Sequence, residues 1–171
     1  RLRFGDPKMP LRVEMEAYNP FIPHNPDDSG LPAAMFNFKL SNPGKKPVRA
    51  VLFANMENKT GHPDPGQGRI EYLEAPGAKG LFMTTKKHAE DSPRFGSLAL
   101  ATSWPDVKVQ THWFRGTWFD SLHRFWDLAS RGEIKENREP AEVERGTDTG
   151  MIALEVQVEP GQSVRLPVWI V

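Results

Sequence analysis

The chain has 171 residues, of which 38% are hydrophobic and 26% are charged, a length and composition typical of one globular domain. Its 22 Lys and Arg residues balance its 22 Asp and Glu residues, so no net field attracts DNA, RNA or an anionic membrane. The absence of cysteine excludes disulfide scaffolds, cysteine zinc sites and thiol catalysis, but it does not distinguish a cytoplasmic from an exported protein.

Alternation of apolar and polar residues predicts two strands near the start of the chain, "LRVEMEAY" (11–18) and "AAMFNFKLSN" (33–42). The connector between them holds four prolines and the acidic turn sequence Asp27-Asp28-Ser29. Because each proline fixes one backbone φ, we expect this connector to be stiff, and we expect Asp27, Asp28 and Ser29 to bind its unpaired amides.

Further strands follow after Pro43-Gly44, which suits a type II turn. "VRAVLFANME" (48–57) is apolar on both faces, so we interpret it as a central strand covered on both sides. A terminal hairpin is predicted around Pro160-Gly161, and Pro167 predicts an edge position or a bulge for its last strand. The remaining predicted strands are "RIEYLE", "GLFMTT", "SLALAT" and "VKVQTHW".

One segment, Thr117–Arg131, has helical rather than strand spacing. Its apolar stripe consists of Trp118, Leu122, Phe125 and Ala129. We expect Thr117 to cap the helix, Gly132 to end it in the left-handed conformation, and two ion pairs to form at i,i+4 spacing, Asp120–Arg124 and Asp127–Arg131.

About nine strands and one inserted helix predict a mainly β fold, an antiparallel two-layer β-sandwich that occupies residues 1–171 as a single domain. The first and last residues both fall in strand-like sequence, so we expect the chain to be part of a longer N-terminal domain. Strands missing at its edge would leave apolar surface exposed, from which we expect self-association. No apolar run approaches the roughly 20 residues of a membrane span.

Three polar patterns contain residue types that occur in reaction or metal sites. Glu14 and Glu16 share one strand face, but nothing nearby in sequence would desolvate a carboxylate and raise its pKa, so a solvated sheet face is favoured. The Asp27–Ser29 turn lacks the alternating oxygen ligands of a calcium loop. The five histidines are scattered without zinc-ligand spacing. We therefore predict no catalytic residue, no metal and no cofactor in this chain.

Aromatic residues are dense in the second half of the chain. Exposed coplanar rings of Trp104, Trp113 and Trp118 would stack on sugar rings and form a substrate platform. Packing in the interior or against another domain is the more common use of such residues, and it is the interpretation favoured here.

The order of several short motifs resembles the N-terminal β-domain of glycoside hydrolase family 116, the non-lysosomal glucosylceramidases and bacterial β-glucosidases. It begins with "PFIP" (Pro20, Phe21, Pro23), then Asp28-Ser29-Gly30-Leu31-Pro32-Ala33, then Phe36-x-Phe38-x-Leu40-x-Asn42. "FMTT", "GSLALAT", the tryptophan-rich helix and "IALEVQVEPGQSVRLPVWIV" continue in the same order, so the resemblance spans nearly the whole chain.

The resemblance implies a parent enzyme that hydrolyses a β-glucoside or a glucosylceramide-like substrate. In that family a helical barrel, which follows this region, supplies the nucleophilic Glu and the acid/base Asp, and neither matches a residue here. The implied role is therefore a non-catalytic domain that braces the catalytic barrel. Its interdomain motif would consist of Pro20, Phe21, Pro23, Asp28, Ser29 and Pro32. A free-standing carbohydrate-binding module is the alternative from another class.

Overall fold

The computed structural model describes residues 1–116, 118 and 120–171, and within them the chain forms eleven strands and two helices arranged as an antiparallel β-sandwich. The larger sheet has eight strands in the order β1-β2-β3-β11-β7-β6-β5-β9, and the smaller has three in the order β4-β10-β8. The predicted mainly β, two-layer antiparallel fold is confirmed.

The eight strands of the larger sheet are short, and all of them pair antiparallel. They are β1 (Leu2–Phe4), β2 (Arg12–Tyr18), β3 (Ala34–Ser41), β5 (Gly68–Ala75), β6 (Ala78–Thr85), β7 (Ser97–Thr102), β9 (Ala141–Val143) and β11 (Ser163–Ile170). The three strands of the smaller sheet are β4 (Val48–Glu57), β8 (Val107–Gln110) and β10 (Thr149–Val158). The helices are α1 (Pro26–Ser29) and α2 (Asp120–Ala129).

The hydrophobic core lies between the two sheets. Period-two alternation sends Ile152, Leu154 and Val158 of β10 inward, and each is fully buried. They meet the inward residues of the larger sheet, such as Leu81 of β6 and Leu166 of β11. Burial of such aliphatic side chains is the main stabilising contribution to the fold.

Two strands occupy positions that differ from the prediction. β4, interpreted as central, lies at an edge of the smaller sheet, and β10 is the central strand. β11, interpreted as an edge strand or bulged, lies between β3 and β7. It pairs with β7 at Trp169 and Ile170, and the next residue, Val171, exchanges two backbone bonds with Ala99. At Pro167 the hydroxyl of Thr102 donates to the proline carbonyl at 2.5 Å. The sheet therefore accommodates the missing proline N–H by leaving this part of the β7 ladder unpaired.

The two Pro-Gly turns behave differently. Gly161 has φ 73°, and the Gln162 amide donates to the Glu159 carbonyl at 3.0 Å, as a type II turn requires. Gly44 is not among the glycines with positive φ, so the type II prediction is wrong there. Its amide donates instead to the side-chain oxygen of Asn42 at 2.9 Å, which makes an Asx turn.

Helix α2 lies on the outer face of the smaller sheet, where Phe125 meets Phe53 of β4 edge to face at a centroid distance of 5.9 Å. Thr117 and Phe119 lie outside the described residues. Gly132 has φ 64°, with Glu133 N donating to Leu128 O and Gly132 N to Ala129 O, so the predicted glycine end is a Schellman motif.

The two predicted i,i+4 ion pairs of α2 are replaced by other contacts. Arg131 pairs with Glu133 at 2.9 Å, and the Arg124 guanidinium lies 5.9 Å from the ring centre of Phe114. Other partners close in sequence can replace such pairs because each exposed ion pair contributes little to the free energy of folding. Neither of the two helices within the described ranges has the length and apolarity to cross a bilayer.

Candidate functional site

The proline-rich connector, residues 19–33, is a wide loop that joins two directly paired strands. β2 and β3 are antiparallel neighbours whose last pair is Tyr18 opposite Met35, so the connector extends beyond the end of this pair. Its middle forms the single turn α1, with Pro26 at the first helical position, where its missing N–H costs nothing. The connector therefore forms a corner with its own local structure at one end of the larger sheet.

Side-chain hydrogen bonds hold this corner. The Asn25 side chain accepts from the Asp28 amide at 3.1 Å and donates to the Asp28 carboxylate at 2.6 Å, which caps α1. Ser29 Oγ accepts from the Ile22 amide at 2.8 Å and donates to the Ile22 carbonyl at 2.9 Å. Of the three residues expected to bind backbone amides here, Ser29 does so, whereas Asp28 accepts from a side-chain amide. Asp27 makes no side-chain hydrogen bond within the described residues, so the prediction is wrong for both aspartates.

The connector presents apolar side chains to solvent. Phe21 is 74% exposed, Leu31 is 53% exposed and Ile22 is 50% exposed, and we call these three residues the connector surface. Of the other motif residues, Pro20 and Ser29 are half-buried, whereas Pro23, Asp28 and Pro32 are exposed. Large apolar side chains clustered on a rigid, exposed loop are typical of a contact surface.

The C-terminal end of the connector lies beside the end of the last strand. Ile170 of β11 pairs with Ala34, the first residue of β3, and the connector leads directly into that residue. Val171 follows and is 53% exposed. The end of β11 and the C-terminal end of the connector therefore lie at the same end of the larger sheet.

The three candidate sugar-binding tryptophans occupy different environments. Trp104 packs against the core, and its indole N–H donates to the Glu155 carbonyl at 3.3 Å. Trp113 is half-buried and stacks on Phe125, with centroids 4.7 Å apart and planes 8° apart. Trp118 is 87% exposed. Two of the three rings are thus engaged inside the fold, and the third is available to solvent.

Helix α2 carries further exposed aromatic surface. Leu122 is 47% exposed and Trp126 is 61% exposed, and at i,i+4 spacing on α2 they form an outward pair. Trp118 precedes the helix, with φ 58°. Phe125, Leu128 and Ala129 are the apolar residues that the helix turns towards the sheet. Sequence spacing put Trp118, Leu122 and Phe125 in one stripe, but the structure separates them.

The carboxylates with clearly shifted pKa values are held in their ionised form. Among the groups that the structure describes, every carboxylate with a clearly shifted pKa is shifted downward. A hydrogen bond from Arg1 lowers the pKa of Glu14, and Arg3 adds a second ion pair at 2.9 Å. A proton donor in glycoside hydrolysis needs the opposite shift. Within the same described ranges no three His, Asp or Glu side chains group as metal ligands.

Two buried asparagines for which the sequence predicts no role join the two sheets. Asn42 is 2% exposed and follows β3, and its side-chain amide donates to the carbonyls of Lys46 and Val158, each at 2.8 Å. Asn58 is 3% exposed and follows β4, and its amide donates to the carbonyls of Arg69 and Thr84 in the larger sheet. In the sequence, the only sign of this role is that each asparagine directly follows an apolar strand.

No relative was found among the curated proteins. A protein-family model described as "beta-glucosidase 2, glycosyl-hydrolase family 116 N-term" matches residues 1–171, the whole chain. The match agrees with the resemblance carried by the connector and strand motifs. The chain therefore belongs to the N-terminal domain family of the family 116 glycosyl hydrolases.

Proposed function

We propose that this domain braces the catalytic helical barrel of its parent β-glucosidase and contacts it through the connector surface. The domain contributes no reacting group of its own, and its substrate is that of the parent, a β-glucoside or glucosylceramide-like molecule. The downward pKa shifts of its carboxylates are in keeping with a structural role.

The observation that carries the proposal is the exposure of Phe21, Ile22 and Leu31 on a hydrogen-bonded corner beside the end of β11. A preformed apolar surface loses little conformational entropy on docking. In the family, the catalytic region follows this domain along the chain, so a following domain would be tethered at this end of the sheet. Phe21 has the largest exposed apolar side chain of the three and would be the central anchor.

The test uses the full-length parent enzyme with Phe21→Ser and Ile22→Ser combined. We expect a lower Tm of the parent, faster proteolysis between its domains and reduced activity, because an apolar contact is replaced by polar groups. Leu73→Ser is the matched control. Leu73 is also 50% exposed, but it lies on β5, which is separated from β3 by β11, β7 and β6 in the larger sheet. The same double variant in the 171-residue chain should leave its own Tm unchanged.

Asp28→Ala with Ser29→Ala tests whether the rigidity of the corner matters. This variant keeps the apolar side chains but removes the bond from the Asn25 side chain to the Asp28 carboxylate and both bonds between Ser29 Oγ and Ile22. We expect weaker domain packing in the parent. Unchanged melting and unchanged activity in both double variants would refute the bracing role.

The parent reaction would follow the retaining mechanism, in which two carboxylates of the barrel act through a covalent glycosyl-enzyme. We expect the separate 171-residue chain to be inactive towards an aryl β-glucoside. Measurable cleavage by the purified chain, abolished by a substitution within it, would overturn the non-catalytic assignment.

A carbohydrate-binding module is supported by one observation, the exposed rings of Trp118 and Trp126. Trp104 and Trp113 weaken it, because their indole N–H groups donate to the Glu155 carbonyl and to Asn55 Oδ1. This alternative predicts quenching of tryptophan fluorescence by soluble glucans, removed by Trp118→Ala. The bracing proposal predicts no glucan effect on the fluorescence.

A further inference from the structure

A cleft opens between α2 and the outer face of the smaller sheet, on the side of that sheet opposite the core. Its volume is about 320 Å³, which is at the lower end of small-molecule sites. None of the connector residues lines it. It therefore needs an explanation separate from the bracing role.

The apolar wall of the cleft is held in place by packing. Phe53 of β4 and Met151 of β10 contribute from the sheet, and Phe125 contributes from α2. Two rings hold Phe125 in place. Phe53 meets it in a T-shaped arrangement with a centroid distance of 5.9 Å, and Trp113 stacks parallel to it with a centroid distance of 4.7 Å. Because the Trp113 indole N–H also donates to Asn55 at 3.0 Å, this wall is preformed.

The imidazole of His112 at the cleft is already engaged. Its Nδ1 lies 2.8 Å from the Trp113 carbonyl, which can only accept, so Nδ1 carries the proton. Its Nε2 then accepts from the Asn137 side-chain amide at 3.3 Å, while Asn137 Oδ1 accepts from the Glu139 amide. This pair therefore offers a ligand no free imidazole acceptor.

Ion pairs account for the carboxylates at the cleft but not for two of its cationic side chains. The carboxylates of Glu133 and Glu136 pair with Arg131 and Arg138, at 2.9 and 2.8 Å, and Arg115 pairs with Asp148. Arg124 and Lys135 also line the cleft. Neither forms an ion pair within the part of the chain that the structure describes.

We propose that the cleft binds a small amphipathic organic anion. Its apolar body would lie against Phe53, Phe125 and Met151, and its anionic head would meet Arg124 and Lys135. Apolar contact would supply most of the affinity, and the two cations would select the sign of the head group. The site is independent of the connector surface, so this proposal stands or falls separately from the bracing role.

The test is titration of the 171-residue chain with decanoate, decyltrimethylammonium and decyl glucoside, followed calorimetrically and by amide chemical shifts. The three probes share the apolar chain and differ in the charge of the head. We expect decanoate to bind about tenfold more tightly than either of the others. We expect its shift changes to cluster at Phe53, Gln110 and Met151.

Arg124→Gln with Lys135→Gln should reduce decanoate affinity about tenfold, because it removes both charges and little apolar surface. Both side chains are exposed, so the fold should be retained. Lys45→Gln with Arg165→Gln removes the same charge elsewhere and should leave affinity unchanged. Ser121→Phe, which fills the cleft from α2, should abolish binding of all three probes.

Three results would overturn the proposal. The first is equal affinity for the anionic and cationic probes. The second is tighter binding of decyl glucoside, which would make the cleft a sugar site. The third is a set of shift changes on Leu122 and Trp126, or on Trp118 before the helix, instead of the cleft, which would place the probe on these exposed side chains.

Discussion

The side-chain amide of Asn42 donates to the carbonyl oxygen of Val158 at 2.8 Å, and this contact joins the two sheets of the sandwich. Asn42 follows β3 of the larger sheet, whereas Val158 is the last residue of β10 in the smaller sheet. The Asn42 backbone adds bonds to Gln162 and Gly161 in the turn that carries the chain from β10 to β11. One buried residue thus fixes where the chain crosses between the layers.

Asn42→Ala should destabilise the chain by about 2–3 kcal/mol, because it leaves the carbonyl of the fully buried Val158 without the Asn42 side-chain donor and also removes the acceptor of the Gly44 amide. Urea unfolding followed by tryptophan fluorescence measures this change. Asn37→Ala is the matched control, since Asn37 makes only a 3.5 Å contact with the Tyr18 hydroxyl, and its cost should be below about 0.5 kcal/mol. Equal costs for the two variants would contradict a clamping role for Asn42.

Gly80→Ala should cost about 3 kcal/mol. A Cβ at Gly80 would lie 2.1 Å from the Leu100 carbonyl oxygen and 2.7 Å from the Ala101 Cα, both backbone atoms of β7. Neither can give way without disrupting the β6–β7 ladder, so the strands would have to separate. Gly96→Ala, whose Cβ would meet nothing within 4 Å, should be neutral or slightly stabilising in the same urea titration. A mild cost at Gly80 would mean that the two strands lie further apart than described.

Phe125→Ala should cost about 2–3 kcal/mol, because it removes the ring that Phe53 and Trp113 both contact and opens a void beneath α2. Leu122→Ala is the control on the same helix, since Leu122 is 47% exposed and should cost less than about 1 kcal/mol. Thermal unfolding by circular dichroism measures both. The reverse order of costs would show that α2 faces the sheet with its other side.

Local pattern was enough to predict most of the strands and the helix. Alternation in "AAMFNFKLSN" predicted a strand close to the observed Ala34–Ser41, and Gly132 predicted where α2 ends. Such signals act within a few residues, where the chain itself sets the geometry.

The order of the strands and the orientation of α2 were not predictable in this way. Asn42 bonds to Val158, which is 116 residues away, and no local pattern encodes that partner. Phe125 and Leu122 both fit an apolar stripe, and only the rings of Phe53 and Trp113 decide which of them turns inward. The cleft likewise depends on residues from β4, β10 and α2 meeting in space.

Acid should weaken the fold partly through Glu155. Hydrogen bonds from Arg49, and then from Lys108 at 3.2 Å, lower the pKa of this carboxyl from 4.5 to about 2. Because the folded state holds the carboxylate form, this stabilisation is fully present above pH 4.5 and is lost as the pH falls towards 2. The free energy of unfolding of Glu155→Gln should therefore differ most from that of the unaltered chain above pH 4.5, and the two should converge near pH 2.

Urea titrations at several pH values between 2 and 7 measure this convergence, and Glu90→Gln controls for the loss of one exposed negative charge. Arg49 also donates to the Gly132 carbonyl at 3.4 Å, so loss of its Glu155 partner should loosen the end of α2 as well. Faster amide exchange at Gly132 and Glu133 in Glu155→Gln would report that effect. A constant difference between the two proteins from pH 7 to pH 2 would show that the Arg49–Glu155–Lys108 group does not hold the carboxylate in its ionised form.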